Sequence, residues 1–196
     1  MLRNEAHRSI GKADNYCAGL MTEYRRTYIP GVAWFFTVNL AQRKGNYLLI
    51  SHIDELRGAF RYIKKNYPFR LDAVVVLPDH LHCIWTLPDG DSNYSTRWSL
   101  LKGHFSRAVD RDERISLSRQ KRRERGVWQR RFWEHRIRDQ EDFNRHVDYI
   151  HWNPVKHGWV KQVADWPHSS FHDYVDRGIY SENWCCNSEL DVHGGE

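Results

Sequence analysis

Leu71-Asp72-Ala73-Val74-Val75-Val76-Leu77-Pro78-Asp79-His80-Leu81-His82-Cys83-Ile84-Trp85-Thr86-Leu87 contains two runs of apolar, β-branched and aromatic residues separated by Pro78-Asp79. Proline followed by aspartate is turn chemistry and the flanking runs are strand formers, so the segment predicts an antiparallel hairpin. Side chains alternate between the two faces of a strand. His80 and His82 therefore point to one side and Cys83 to the other, which offers two imidazoles to one divalent ion. As a triplet this is a weak signal in a chain with 12 histidines among 196 residues. Its place at the start of a strand inside a sheet is what gives it weight.

Upstream, Val32 to Leu40 reads as a strand rich in aromatic and branched residues. Ile53, Leu56, Phe60 and Ile63 recur at three or four residues and predict a helix over about 52–66. Downstream, Pro88 to Asn93 is a loop, and Trp98, Leu101, Phe105 and Val109 mark a second helix over about 96–110. Gly126-Val127-Trp128 leads into a fourth strand running to about Ile137. Asp139 is a candidate N-cap, with Asp142 approximating a capping box, for a third helix that carries Phe143, His146, Val147 and Ile150 inward. Pro154 is expected to end or kink that helix. The order β-α-β-β-α-β-α is the α+β pattern of a ferredoxin-like fold. It predicts an antiparallel four- to five-stranded sheet with helices on one face and the other face open. One domain spans about 21–180, including an extension from about 155 that packs Trp159, Val163, Trp166 and Tyr174 against the body. Residues 1–20 read as a disordered extension and 181–196 as a flexible tail.

The formal charge is +5, from 30 basic against 25 acidic residues, which fits a polyanionic partner without requiring one. Between Arg111 and Arg138, arginines and lysines are interleaved with Trp128, Phe132 and Trp133. Cations contact phosphates and aromatic faces stack on unpaired bases, so this stretch has the chemistry of single-strand binding, or is a solvated charged loop. Cys17, Cys83, Cys185 and Cys186 have no zinc-site spacing. Cys83 reads as a small core residue, and a reduced, cytoplasmic setting is the simplest. No apolar run approaches the roughly 18 residues of a membrane span, and the N-terminus lacks the apolar core of a signal peptide.

A second constellation is Tyr149-Ile150-His151-Trp152-Asn153. Tyr149 and Asn153 are four residues apart and share a face if the segment is helical. A phenol beside a metal-bound phosphate is a nucleophile, and the carboxamide one turn on can complete the metal shell. Together with His80 and His82, this pattern suggests an enzyme that breaks single-stranded DNA through a phosphotyrosine link. Against the helical placement, Asn153 precedes Pro154, and a residue before proline is biased away from helical geometry. Glu134 and His135 face opposite ways on a strand, so at most one of them points at such a site. His151 and His157 suit surface or capping roles better than phosphate contact, and His168 and His172 structural ones. Arg25, Arg26, Arg130, Arg131 and Lys156 are candidates for DNA contacts.

Several segments in the same order carry a resemblance. They are Tyr24-Arg25-Arg26, Trp34 to Asn39, Val75 to Trp85, Arg131-Phe132-Trp133-Glu134-His135, Asp148 to Gly158 and Asp165-Trp166-Pro167. Across about 21–180 the chain resembles the REP-associated tyrosine transposases, relatives of the single-tyrosine insertion-sequence transposases in the HUH endonuclease superfamily. The resemblance implies an HUH fold, His80, His82 and Asn153 as ligands of Mg²⁺ or Mn²⁺, and Tyr149 as nucleophile. Insertion-sequence relatives more often have glutamine at the position of Asn153. The implied partner is single-stranded or hairpin DNA of the repetitive extragenic palindrome (REP) type. Two other readings compete. One is a non-catalytic nucleic-acid-binding module of the same fold. The other is a two-histidine RNA phosphodiesterase built from His7-Arg8-Ser9, His104-Phe105-Ser106 or His168-Ser169-Ser170, which needs two such motifs on strands.

Overall fold

β1 (Ala33–Asn39) is buried along all but its first residue, so its side chains need partners on both sides of the strand. It is followed by α1 (Leu48–Ser51), α2 (Ile53–Asn66), β2 (Arg70–Val76), β3 (His80–Thr86), α3 (Tyr94–Ala108) and α4 (Leu117–Lys121). β4 (Trp133–Arg136), α5 (Gln140–Lys156), a 3-10 turn (Val163–Asp165) and α6 (Phe171–Asp176) complete the order. The computed structural model describes residues 31–110, 117–121 and 125–184. The expected disorder of residues 1–20, most of the 181–196 tail, and Arg25 and Arg26 lie outside the described residues.

The four strands form one antiparallel sheet in the order β2-β3-β1-β4. Two interleaved split β-α-β units generate this order, so the α+β, ferredoxin-like expectation holds with four strands. The hairpin is as the sequence predicts, its turn closed by the Leu77 N–H donating to the His80 carbonyl at 2.8 Å. On one face Trp34, Phe36, Leu81, Cys83 and Trp85 pack under α2 and α3, meeting Leu56, Ile63, Trp98 and Phe105. Burying one such aromatic contributes on the order of 1.5–3 kcal/mol.

The opposite face departs from the expectation of helices on one side only. Phe35, Ala73, Val75 and Ile84 line it, and α5 covers them with Val147, Tyr149 and Ile150, assisted by Tyr174 of α6. The cause is visible in Phe35, Ala73, Val75 and Ile84, apolar side chains that alternate with those of the first core and would otherwise meet water. The inward stripe of α5 then closes the open face.

Two other expectations shift. β4 is shorter than predicted because Trp128 turns into the α2–α3 core, 5.4 Å from the Phe105 ring, and pairs through an isolated bridge with Leu40, just past the end of β1. Pro154 neither ends nor visibly interrupts α5. Near a C-terminus a proline forfeits one helical bond, here to Ile150, while Asn153 still accepts the His157 N–H at 3.0 Å. Gly158, at φ +70°, turns the chain out of the helix in the left-handed region that glycine adopts freely. Val163 and Tyr174 pack inward as expected, whereas Trp159 stays exposed. Among the described residues no helix is long and apolar enough to cross a membrane.

Candidate active site

His80 stands opposite Asn39, and His82 opposite Thr37, on the face that α5 covers. Their rings are 5.0 Å apart between centroids and nearly perpendicular. The Asp79 carboxylate lies 2.6 Å from His80 Nδ1, and Arg43 Nε donates to the same carboxylate at 2.7 Å. An imidazole that donates Nδ1–H to a carboxylate presents its Nε2 lone pair outward. His80 Nε2 is buried and has no hydrogen-bond partner. His82 Nδ1 is 2.9 Å from the Thr37 hydroxyl, which turns Nε2 the other way. Burial depresses the His80 pKa against the pull of Asp79, favouring the neutral ring that binds metal. Burial would raise the Asp79 carboxyl, but hydrogen bonds and charge from His80 and Arg43 outweigh it and hold the pKa at about 2.

α5 supplies the other half. Despite the proline after it, Asn153 is helical, so residues 149, 153 and 157 lie in one row. The Tyr149 ring packs edge-on against His82 at 5.3 Å, and the His157 ring against His80 at 5.3 Å. Asn153 lies between them in that row and is fully buried. Its amide oxygen and nitrogen are both fully buried without a hydrogen-bond partner. An uncompensated buried amide and imidazole nitrogen are costly, and a divalent cation ligated by them removes that cost. The donor set of two imidazoles and one amide oxygen therefore fits a metal.

Lys156 also belongs here. Its Nζ donates to the Tyr149 hydroxyl at 3.2 Å and lies 4.8 Å from the Tyr149 ring centre. Arg130 and Arg131 are exposed where the chain enters β4. The Asn39 carbonyl accepts the Gln129 N–H at 2.9 Å while Asn39 pairs with His80, so both arginines leave the sheet at the histidine end.

This chain is 50% identical over 176 residues to the REP-associated tyrosine transposase of Escherichia coli K12, an alignment covering 90% of the chain and 98% of that relative. The chain belongs to the REP-associated tyrosine transposases. A Haemophilus influenzae protein named for the same family is 46% identical to this chain, over 89% of the chain and 99% of the relative. A solved structure of the REP-associated tyrosine transposase bound to a REP hairpin superposes with a TM-score of 0.78 at 48% identity, covering 90% and 98% of the two chains. No family model matches the sequence.

Other polar groups of the transposase divide by face. Glu134 is buried beneath α3 and accepts from the Tyr94 hydroxyl at 3.3 Å, while His135 shares the face of the histidine pair. His135 Nε2 is 2.9 Å from Asp142, which also approaches His146 Nδ1 at 3.2 Å and accepts from Arg138 at 3.2 Å. His135, Asp142 and His146 offer ligand atoms within 4.8 Å of one another, a second set able to hold a metal. Two guanidinium groups, of Arg138 and Arg145, compete for that carboxylate. His151 takes no phosphate-facing position. Burial among Phe171, Tyr174 and Tyr180 drives its pKa down to about 3, and its Nε2 is 2.9 Å from the Ser170 hydroxyl. Of the two described H-x-[ST] motifs, His104 lies on α3 and His168 in the loop before α6, so neither is on a strand. Asp79, Arg43 and Thr37 escaped the sequence reading. Asp79 reads as a turn residue, Thr37 joins the site only through strand register, and Arg43 reaches it from the loop after β1.

Proposed function

We propose that the protein cuts and rejoins single-stranded DNA at REP-type hairpins through a 5′-phosphotyrosine intermediate, with Tyr149 as the nucleophile. The observation that carries this is the packing of Tyr149 against His82, with the buried, unpartnered Asn153 amide one turn along the same row of α5. The transposase in the solved relative is bound to a REP hairpin, and 48% identity supports the same DNA class here.

His80, His82 and Asn153 would hold a divalent cation, and when bound it would polarise the scissile phosphate and neutralise charge on its oxygens. Imidazole ligands favour Mn²⁺ while phosphate oxygens suit Mg²⁺, so both are expected to support activity. Tyr149 Oη attacks phosphorus in line. The Tyr149 O–P bond forms as the P–O3′ bond breaks, the phenol loses its proton, and the departing 3′ oxygen gains one. A 3′-hydroxyl reverses the exchange and joins strands without ATP, because the phosphodiester energy is retained. Lys156 donates to the attacking oxygen, fixing its direction and stabilising negative charge that develops on it. Arg130 and Arg131, exposed just before β4, are candidates for contacts to the DNA backbone, as are Arg25 and Arg26. Action on chromosomal repeats places the protein in the cytoplasm, at the nucleoid.

The test is incubation with 5′- and 3′-labelled single-stranded hairpin oligonucleotides in Mn²⁺ or EDTA, resolved on a denaturing protein gel. The expected product is a metal-dependent adduct carrying the 3′ portion of the cut strand, absent in Tyr149→Phe. Cleavage without an adduct would demote Tyr149, and binding without cleavage in any metal would favour a non-catalytic module.

A further inference from the structure

Beyond His80, on the side away from Tyr149, lies a pocket of about 180 Å³ whose walls include Arg43, Tyr47, Asp79, His80, His157 and Trp159. Two of these are large aromatics left in solvent side by side. Tyr47 is 54% and Trp159 41% exposed, and their rings meet edge to face at 5.8 Å. Exposed aromatics of this size next to a polar pocket mark a binding surface, since burying them elsewhere would stabilise the fold.

Both are held rather than dangling. Gly158 turns the chain, and the Trp159 N–H donates to the Pro154 carbonyl at 2.9 Å. Behind it stands Trp166, 6.4 Å away, anchored by its indole N–H to the Val76 carbonyl at 3.0 Å. On the Tyr47 side, Asn46 accepts the Leu48 N–H at 2.9 Å, and Leu49 N–H reaches the Pro78 carbonyl at 3.2 Å. The aromatic walls are thus tied to the turn that presents His80. Arg43 lines the pocket, bonded to Asp79, with its side chain 31% exposed.

We propose that this pocket receives one unpaired nucleotide adjoining the scissile phosphate, with its base against Tyr47 and Trp159 and its phosphate near Arg43. The inference rests on the proposed cleavage at the His80–His82 site. The chemistry selects the ligand class. A base supplies a flat π-face for the aromatics, and a phosphate supplies the anion for a guanidinium. The shared wall at His80 sets the position, because a nucleotide there is next to the phosphate that the histidine site engages. This pocket would then read the sequence at the cut, apart from the hairpin itself.

The test uses full-length protein carrying Tyr149→Phe in Mn²⁺, so that binding is read without cleavage. REP-type hairpins are compared with and without single-stranded flanks, and 2-aminopurine is placed at each position beside the cut. Tyr47→Ala and Trp159→Ala should each weaken the flanked hairpin about tenfold, the order of one lost base stack. They should leave the unflanked hairpin within about twofold and abolish 2-aminopurine quenching at one flanking position, while Trp159→Phe restores it. Equal losses for both hairpins, or quenching untouched by either variant, would overturn the pocket. The wild-type adduct assay separates the two proposals. Adduct formation without variant-sensitive quenching overturns the nucleotide pocket alone, whereas such quenching without any adduct leaves the base pocket and overturns the cleavage reading.

Discussion

Lys156 stands seven residues beyond Tyr149, two turns along the same face of α5, and its ammonium meets the phenol oxygen at 3.2 Å. The sequence suggested a DNA contact for it; its geometry places it on the hydroxyl of Tyr149, the proposed nucleophile. A charge-assisted hydrogen bond contributes about 1.5–3 kcal/mol, so Lys156→Met should slow single-turnover cleavage by about 10- to 100-fold. Hairpin affinity and its salt dependence should hardly change, whereas a phosphate contact would lose both. Asp79 holds His80 in the tautomer that presents Nε2. Asp79→Asn should raise the Mn²⁺ concentration needed for half-maximal cleavage by about 10- to 100-fold, the usual cost of removing such a partner. The histidines and the tyrosine were legible because their chemistry is local. Asp79 was visible only as a turn former, since nothing in a linear string shows which way a carboxylate leans.

α5 owes its position to its first turn as much as to its apolar stripe. Asp139 caps it by accepting the Asp142 N–H at 2.8 Å, and the Asp142 side chain accepts the Arg138 N–H at 3.0 Å, close to the reciprocal pattern read from the sequence. Asp142 also joins His135 of β4 to His146 of α5, so the helix bearing Tyr149 is pinned to the edge strand. Burial would raise the Asp142 carboxyl, but hydrogen bonds from His135 and Arg138 overcome this and hold it well below the ordinary carboxylate range. A carboxyl depressed in the folded state adds stability above its unfolded pKa of about 3.9, and that contribution is lost as pH falls below it. Thermal melting followed from about pH 6 down to pH 3 should show a steep acid limb in the wild type. Asp142→Asn should melt lower at neutral pH and show a flatter limb; an unchanged limb would assign the acid sensitivity elsewhere. The cap was readable because it lies within four residues of chain. The link to His135 depends on β4 lying beside β1, which no local pattern encodes.

Across the assembled protein, charge and layering bear on the DNA contacts proposed above. Arg130 and Arg131 leave the sheet at the histidine end, and a cation that contacts phosphate steepens the salt dependence of binding. Arg130→Ala and Arg131→Ala should each lower the slope of log K against log salt by about one, measured with a REP-type hairpin. An unchanged slope would return them to plain surface charge. The hairpin of β2 and β3, the α+β order, the histidine pair and the Tyr149–Asn153 spacing were fixed by local alternation and helical periodicity. The closed second face was implicit in Phe35, Ala73, Val75 and Ile84, yet apolar residues on a strand name no partner, and α5 became that partner only by packing. Local bias against helix at Asn153 was overridden in the same way, because a proline near a helix end forfeits a single bond while the packed face gains many contacts. The Asp79–Arg43 support behind His80, the ring contacts of Tyr149 and His157 with the histidine pair, and the Tyr47–Trp159 wall join residues far apart in the chain. Their meeting depends on strand register and on how α5 lies across the sheet, which are set by the free energy of the whole packed core.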